Sequence, residues 1–191
     1  MKYQKVSKEK IIEATASVIA REGLDKVTVD DISQEADVAK GSIYFHFDSK
    51  DKLLIEGIRY IAEQRVFRIR KALKNISSPK RKLIKLLAVS NLMIKKDPDS
   101  FLMNYALLLS SHKNIKREVS LEYVQKYILL VSEIIKDGIA LRQFKQVNAE
   151  AVATSLVLTN DLAGILRFSE KQIPSPQKIY KELIKLISTR K

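Results

Sequence analysis

Lys40-Gly41-Ser42-Ile43-Tyr44-Phe45-His46-Phe47, followed by Ser49-Lys50, is the stretch on which the reading of this chain turns. In a short helix Ile43 and Phe47, four residues apart, point inward together, while the exposed surface carries an ammonium, a phenol and an imidazole (Lys40, Tyr44, His46). A short helix with an apolar back and such a front has the surface needed to lie against a nucleic-acid duplex.

The residues around it predict the bundle that would hold that back. Upstream, Ser7 is an N-cap for a helix whose stripe is Ile11, Ile12, Thr15, Val18 and Ile19, and Gly23 stops it at the C′ position. Thr28 caps a second helix, with Asp31 at capping-box spacing and Ile32 and Ala36 on its inner face. That helix ends near Asp37, and the turn Asp37-Val38 leads to the third, from Ala39 or Lys40 to Phe47. Ser49 caps a fourth, which passes Leu53, Ile58 and Phe67 to about Leu73. Ile32, Val38, Ile43, Phe47 and Leu53 are the expected core. Helices two and three, joined by a tight turn, have helix-turn-helix spacing, in which the second member enters the major groove.

The run from Thr28 to Phe47, with Ser49-Lys50-Asp51-Lys52-Leu53-Leu54 after it, resembles the DNA-binding domain of the tetracycline-repressor (TetR) family. The resemblance covers about a quarter of the chain, from Ile11 to Leu54. It implies a homodimeric transcription regulator, usually a repressor, whose third helix reads bases while neighbouring groups hold phosphates. On that implication Lys40, Gly41 and Ser42, which open the third helix, suit a phosphate oxygen. Tyr44, Phe45 and His46 face thymine methyls, base edges or sugar, Lys50 takes a second phosphate, and Thr28 lends its hydroxyl to another. Each has a plainer reading beside it. Gly41 is also a small residue near a helix start, Tyr44 a half-buried packing group, His46 a surface or packed histidine, and Thr28 a cap. Two positions depart from the family pattern. Asp37 stands where Gly is common, which the backbone tolerates because Asp visits the left-handed region more readily than most residues. Ala39 stands where Ser is common, so a cap and a possible phosphate hydroxyl are missing. DNA affinity then leans on Lys40, Lys50 and the arm lysines Lys2, Lys5, Lys8 and Lys10.

Beyond the connector, Asn75-Ile76-Ser77-Ser78-Pro79 is a boundary signal, Ser as cap and Pro at the first helical position. Further helices are expected over 80–96, 98–111, 115–141, 149–169 and 177–189, with no strand signal and no fixed-period repeat. The fold class is all-α, about nine helices. A helix-turn-helix domain occupies residues 1–54 and an effector-binding and dimerisation domain 55–191, with the connector helix over about 49–73.

Of the 191 residues 46% are apolar and 30% charged, a globular composition, and the net charge is +13. The charge is unevenly placed. Residues 1–53 hold nine Lys/Arg against ten Asp/Glu, and the other 138 residues hold 26 against 12. The excess therefore lies outside the segment that reads as a DNA head, and recognition must rest on a few placed groups. The apolar stretch Ala149 to Leu166 is interrupted by Glu150, Asn160 and Asp161, so it reads as a buried helix and not a membrane span. The N-terminal residues carry no secretory pattern, and a cytoplasmic protein is expected.

The C-terminal region carries no motif. The resemblance implies that it supplies dimerisation and a pocket for a small effector. Ala149 to Leu166, apolar almost all round, can pack on its own domain and on a partner. The helix over 177–189 adds Ile179, Leu183, Leu186 and Ile187, with Tyr180 and Ile184 beside them, so two such helices per subunit would make a four-helix interface. The plainer reading makes both ordinary core helices. Asn91, Met93, Asn104, Tyr105, His112, Asn160 and Asp161 are polar or polarisable groups within apolar helices, and are candidate pocket residues. Between Arg59 and Lys85 ten Lys/Arg stand against one acid, Glu63. Lys80, Arg81 and Lys82 fall in a helix's first turn, where each cation costs about 0.3 to 1 kcal/mol against the dipole. The cluster is either a solvated face or a seat for an anionic effector such as an acyl thioester of coenzyme A.

An enzyme is not expected. The chain has no cysteine, its two histidines lie 66 positions apart, and it has neither a phosphate-cradling glycine loop nor a Gly-x-Ser-x-Gly elbow. No cofactor and no metal cluster are expected. The competing reading is a basic helical DNA-binding scaffold without an effector.

Overall fold

A computed structural model of the chain describes residues 7–96, 115, 118, 119, 122–166 and 174–189. Among them are eight helices: α1 Lys8–Glu22, α2 Val29–Ala36, α3 Lys40–His46, α4 Lys50–Leu73, α5 Pro79–Lys96, α6 Glu122–Ala140, α7 Ala149–Leu166 and α8 Pro176–Ile187. The helix expected over 98–111 lies outside the described residues. No regular strand occurs among them, and the one isolated bridge joins Phe144 to Ser188. The all-α class stands.

Local chemistry sets the ends of the first three helices. Ser7 Oγ accepts from Lys10 N, and Gly23 closes α1 with φ +78° and its N–H on the Ile19 carbonyl. Thr28 Oγ1 accepts from Asp31 N at 3.2 Å while Asp31 Oδ2 accepts from Thr28 N at 3.0 Å, which completes the capping box. Asp37 takes the left-handed conformation the turn demands, φ 51° and ψ 57°. Ala39 stands at the N-cap of α3 with no side-chain hydrogen bond to give.

The chain divides into two compact units. The first holds α1–α3, α4 as far as Arg65, and the described residues Ile115, Glu118, Val119 and Glu122. Ile11, Val18, Ile19, Ile32, Ile43, Phe47 and Leu53 form its core, Val38 is only partly buried against it, and Ile115 and Val119 pack into the same cluster. Gly57 lets α1 and α4 close: a Cβ there would lie 2.6 Å from Thr15 Cγ2. Two ion pairs hold the incoming segment, Lys52 to Glu118 at 3.3 Å and Arg59 to Glu122 at 2.8 Å. Arg59 also reaches Glu56 at 2.8 Å, and hydrogen bonding to Glu122 holds its guanidinium still more firmly protonated than usual.

The second unit holds the rest of α4, α5, α6 from Val124 onward, α7 and α8 around Ile69, Leu83, Leu86, Tyr127, Val131 and Leu156. The loop after α6 turns at Arg142, φ 54°, and Phe144 seats its ring against Gly138, where a Cβ would collide with it. Lys145 N then donates to Ile187 O at 2.8 Å and Thr189 N to Gln143 O at 3.2 Å, tying the end of α8 to this loop. Among the described residues no helix is long and apolar enough to cross a membrane, and no group of three potential ligands is placed to hold a metal ion.

Candidate nucleic-acid interface

Helix α3 is seven residues long and too short to stand alone, so its neighbours fix it. Ile43 and Phe47 are buried, and Lys8 places its ammonium 5.3 Å from the centre of the Phe47 ring. The front is the reverse. Tyr44 is 55% exposed and Phe45 79%, two large rings left in water on adjacent positions. His46 is half-buried, edge-on to Phe45 with centroids 5.1 Å apart. Burying such a ring stabilises by about 1.5 to 3 kcal/mol, and the fold forgoes that twice here.

Gly41 sits in the first turn of α3 and is exposed. A Cβ built there meets nothing within 4 Å, and its φ lies outside the left-handed region. The fold therefore has no internal use for glycine at this position, although glycine costs a helix roughly 1 kcal/mol relative to alanine. Ser42 beside it is half-buried, and its N–H bonds the Ala39 carbonyl at 2.9 Å.

The charged groups are engaged, but weakly. Lys40 forms an ion pair with Asp30, both ends more than half exposed, and such a pair is worth 0 to about 1 kcal/mol. Asp30 was not singled out in the sequence, because nothing local marks a partner ten residues away. Lys50 opens α4 and is half-buried. Thr28 is exposed, but its hydroxyl donates to Asp31 Oδ2 at 2.6 Å, so in the free protein its proton serves the cap. That bond, with the one from Thr28 N, lowers the Asp31 pKa. On the flank of α2, Arg21 at 2.8 Å and Ser17 at 2.8 Å hold Glu35 and lower its pKa too. Seven of the eight expected contact residues, Lys40 through Lys50, thus fall within α3 and its junction with α4, and Thr28 caps the helix before it. The arm residues Lys2 and Lys5 lie outside the described residues.

The candidate pocket residues divide differently. Asn104, Tyr105 and His112 lie outside the described residues. Asn91, Asn160 and Asp161 are buried, and Met93 is partly buried against the second core. Asn91 Nδ2 donates to Tyr180 Oη at 3.0 Å, Tyr180 Oη donates to Asn160 Oδ1 at 2.6 Å, and Asn160 Nδ2 donates to Ser90 Oγ and to Asp161 Oδ1, each at 3.2 Å. The polar groups largely satisfy one another. One atom of this network is left over: Asn91 Oδ1 is buried with no hydrogen-bond partner among the described residues. Tyr180 and Ser90 complete this network and were missed, since Tyr180 is 89 positions from Asn91.

Residues 11–56 match the model for bacterial regulatory proteins of the tetR family. The fatty acid metabolism regulator protein of Bacillus subtilis is 25% identical over 146 residues, 76% of this chain and 75% of that protein. IcaR of Staphylococcus aureus, an HTH-type negative transcriptional regulator of the biofilm operon icaADBC, is 35% identical over 52 residues, 27% of this chain and 28% of that protein. Among solved structures the fold matches the transcriptional regulator FadR from Bacillus subtilis in complex with stearoyl-CoA, with TM-score 0.72 and 21% identity over 96% of this chain and 98% of that one. Residues 11–56 thus carry the sequence pattern of the tetR family of bacterial regulatory proteins, and nearly the whole chain shares the fold of a transcriptional regulator.

Proposed function

We propose that the protein is a ligand-responsive repressor that binds a palindromic operator as a homodimer and releases it when a small effector binds. Residues 1–54 serve as its DNA head and residues 55–191 as its effector and dimerisation part. The observation that carries the DNA assignment is the front of α3, where two aromatic rings and a glycine without internal purpose stand together in water. Tyr44, Phe45 and His46 take base edges, thymine methyls or sugar, while Lys40, Gly41, Ser42 and Lys50 meet backbone phosphates. Thr28 adds a phosphate contact only by turning its hydroxyl away from Asp31. Breaking the Lys40–Asp30 pair costs little beside a charge-assisted bond to phosphate.

Dimerisation is assigned to α7 and α8. The outward stripe of α7, Ala151, Ser155, Leu158 and Leu162, is exposed, with both leucines at 56%. On α8, Ile179 and Leu183 are half-buried and Leu186 is 68% exposed on one flank. An apolar stripe on each of two helices suits a four-helix contact with a second copy. For the effector, the reading is an anionic amphiphile such as an acyl-CoA. The similarity to a fatty acid metabolism regulator, and the fold shared with a regulator solved with stearoyl-CoA, support that class. Lysine-rich α5 supplies cations for it, and the buried Asn91 Oδ1 is an acceptor a ligand donor or a water can satisfy. Release follows where effector binding shifts α4 and changes the separation of the two reading helices from the roughly 34 Å of one duplex turn.

Paired substitutions test the DNA reading. Tyr44→Ala should lower operator affinity and specificity together without changing the dimer. Lys50→Ala should weaken all duplexes alike and shallow the salt slope by about one unit. Parental operator affinity in Tyr44→Ala would remove α3 from the interface.

A further inference from the structure

A cleft of about 510 Å³ lies between α5 and α8, on the flank of α8 away from the proposed dimer stripe. The two helices run antiparallel. Gln143 Oε1 accepts from Ser78 Oγ at 2.8 Å and from Lys80 N at 3.1 Å, and the carbonyl of the same Gln143 accepts from Thr189, so the start of α5 lies by the end of α8. Farther along, Asn91 meets Tyr180. Lys80 and Lys185 therefore flank one end of the cleft, and Lys181 stands on the bank nearer the other.

The floor between them is apolar. Ile84, Ala88 and Ile184 line it beside the Tyr180 ring, and Ile84 is left 51% exposed on the side of α5 that it shares with Ala88, while Leu83 and Leu87 are covered by the core. At 1.5 Å per residue, Lys80 to Ala88 spans about 12 Å of floor. The cations are available. Lys80 and Lys181 have no ion-pair partner among the described residues, and Lys185 holds only Glu182, an exposed i,i+3 pair on its own helix. Local stability does not account for Lys80, which stands in the first turn of α5 where the dipole disfavours it.

We infer that this cleft binds a single-chain anionic amphiphile, its aliphatic chain along Ile84, Ala88 and Ile184 and its head at the Lys80–Lys185 end. A flat lysine-rich face would need no apolar floor, and a core pocket would need no lysine rim. Carboxylate and phosphate heads share the required chemistry. The occupant is this chain's own ligand class and not a second copy, because the dimer stripe of α8, Ile179, Leu183 and Leu186, lies on the opposite side of its buried edge, Tyr180, Ile184 and Ile187. The inference gives the effector part of the proposed function a location and rests on that part alone, so it stands or falls apart from the operator.

Calorimetric titration of the full chain with dodecanoate and with dodecyl phosphate, both below micelle formation, and with dodecanol as the uncharged control, tests it. One or both anions should bind, and dodecanol much more weakly. Ala88→Trp, a substitution at an exposed position, should abolish binding by filling the floor. Lys80→Gln and Lys185→Gln should each weaken it by about two- to fivefold, and less at high salt. Circular dichroism keeps misfolded variants out of the comparison. Undiminished binding in Ala88→Trp would place the amphiphile elsewhere and overturn the inference. So would failure of both anions, or capture of an acidic amphipathic peptide where both anions fail. Operator affinity of the unliganded protein, measured separately, reports on the DNA reading whatever these titrations give.

Discussion

Gly41→Ala separates what the fold needs at α3 from what a duplex needs. In the free protein the new methyl meets no atom within 4 Å and the backbone is not left-handed. Replacing glycine by alanine there should stabilise by about 0.5 to 1 kcal/mol through helix propensity and lower unfolded-state entropy. For a chain of this size that raises Tm by about 1 to 4 °C. On the proposed DNA reading the same methyl would stand where a phosphate or sugar approaches. Overpacking a fitted contact costs about 1 to 3 kcal/mol, which is a loss of roughly five- to 150-fold in operator affinity. Thermal melting of the free protein and fluorescence anisotropy with a labelled operator give the two numbers on one preparation. Opposite signs, more stable yet weaker on DNA, are expected. A variant that is stabilised and binds its operator as tightly as the parent would show that Gly41 does not face the duplex.

Other substitutions test the remaining parts. Asp37→Gly should be neutral or stabilising by up to about 1 kcal/mol and Asp37→Val destabilising by at least as much, read in urea, because the residue sits at φ 51°. Thr28→Ala removes the hydroxyl bond, the larger of the two that lower the Asp31 pKa, and keeps the one from the backbone N–H. A carboxylate depressed on folding contributes stability above its unfolded pKa and loses it as pH falls through the folded one, so the variant's acid unfolding should begin at higher pH than the parent's. An unchanged Asp31 titration by NMR would refute that. Leu158→Glu with Leu186→Glu, both at exposed positions, should give folded monomers by light scattering, whereas a dimer that persists would move the interface off α7 and α8.

What was legible in the sequence is what short-range chemistry decides. Ser7, Thr28 with Asp31, and Gly23 announce helix ends because their partners lie within four residues. Asp37 was readable as a left-handed turn for the same reason. Ile43 and Phe47 against Tyr44 and Phe45 follow from a 3.6-residue period once α3 is placed. Contacts between distant positions left no such trace. Nothing local says that Ile115 and Val119 bury in the first unit's core, or that Lys52 and Arg59 meet acids more than sixty positions away. The network through Asn91, Tyr180 and Asn160 is likewise nonlocal: the two asparagines were visible as polar groups in apolar helices, but their shared tyrosine reads as one more stripe residue. The lysines of α5 stood out by count, and only the antiparallel packing of α8 gave three cations a common apolar floor.

Selection of bound sequences from a pool of random duplexes, using the full chain at physiological salt, tests the central claim most directly. A palindrome should emerge whose half-sites lie about 34 Å apart centre to centre, bound on the order of a thousandfold more tightly than random duplex, with that ratio collapsing in Tyr44→Ala. Recovery of no preferred sequence, with affinity that follows salt alone, would contradict a reading helix at Lys40 to Phe47 and favour a scaffold that holds DNA only by charge.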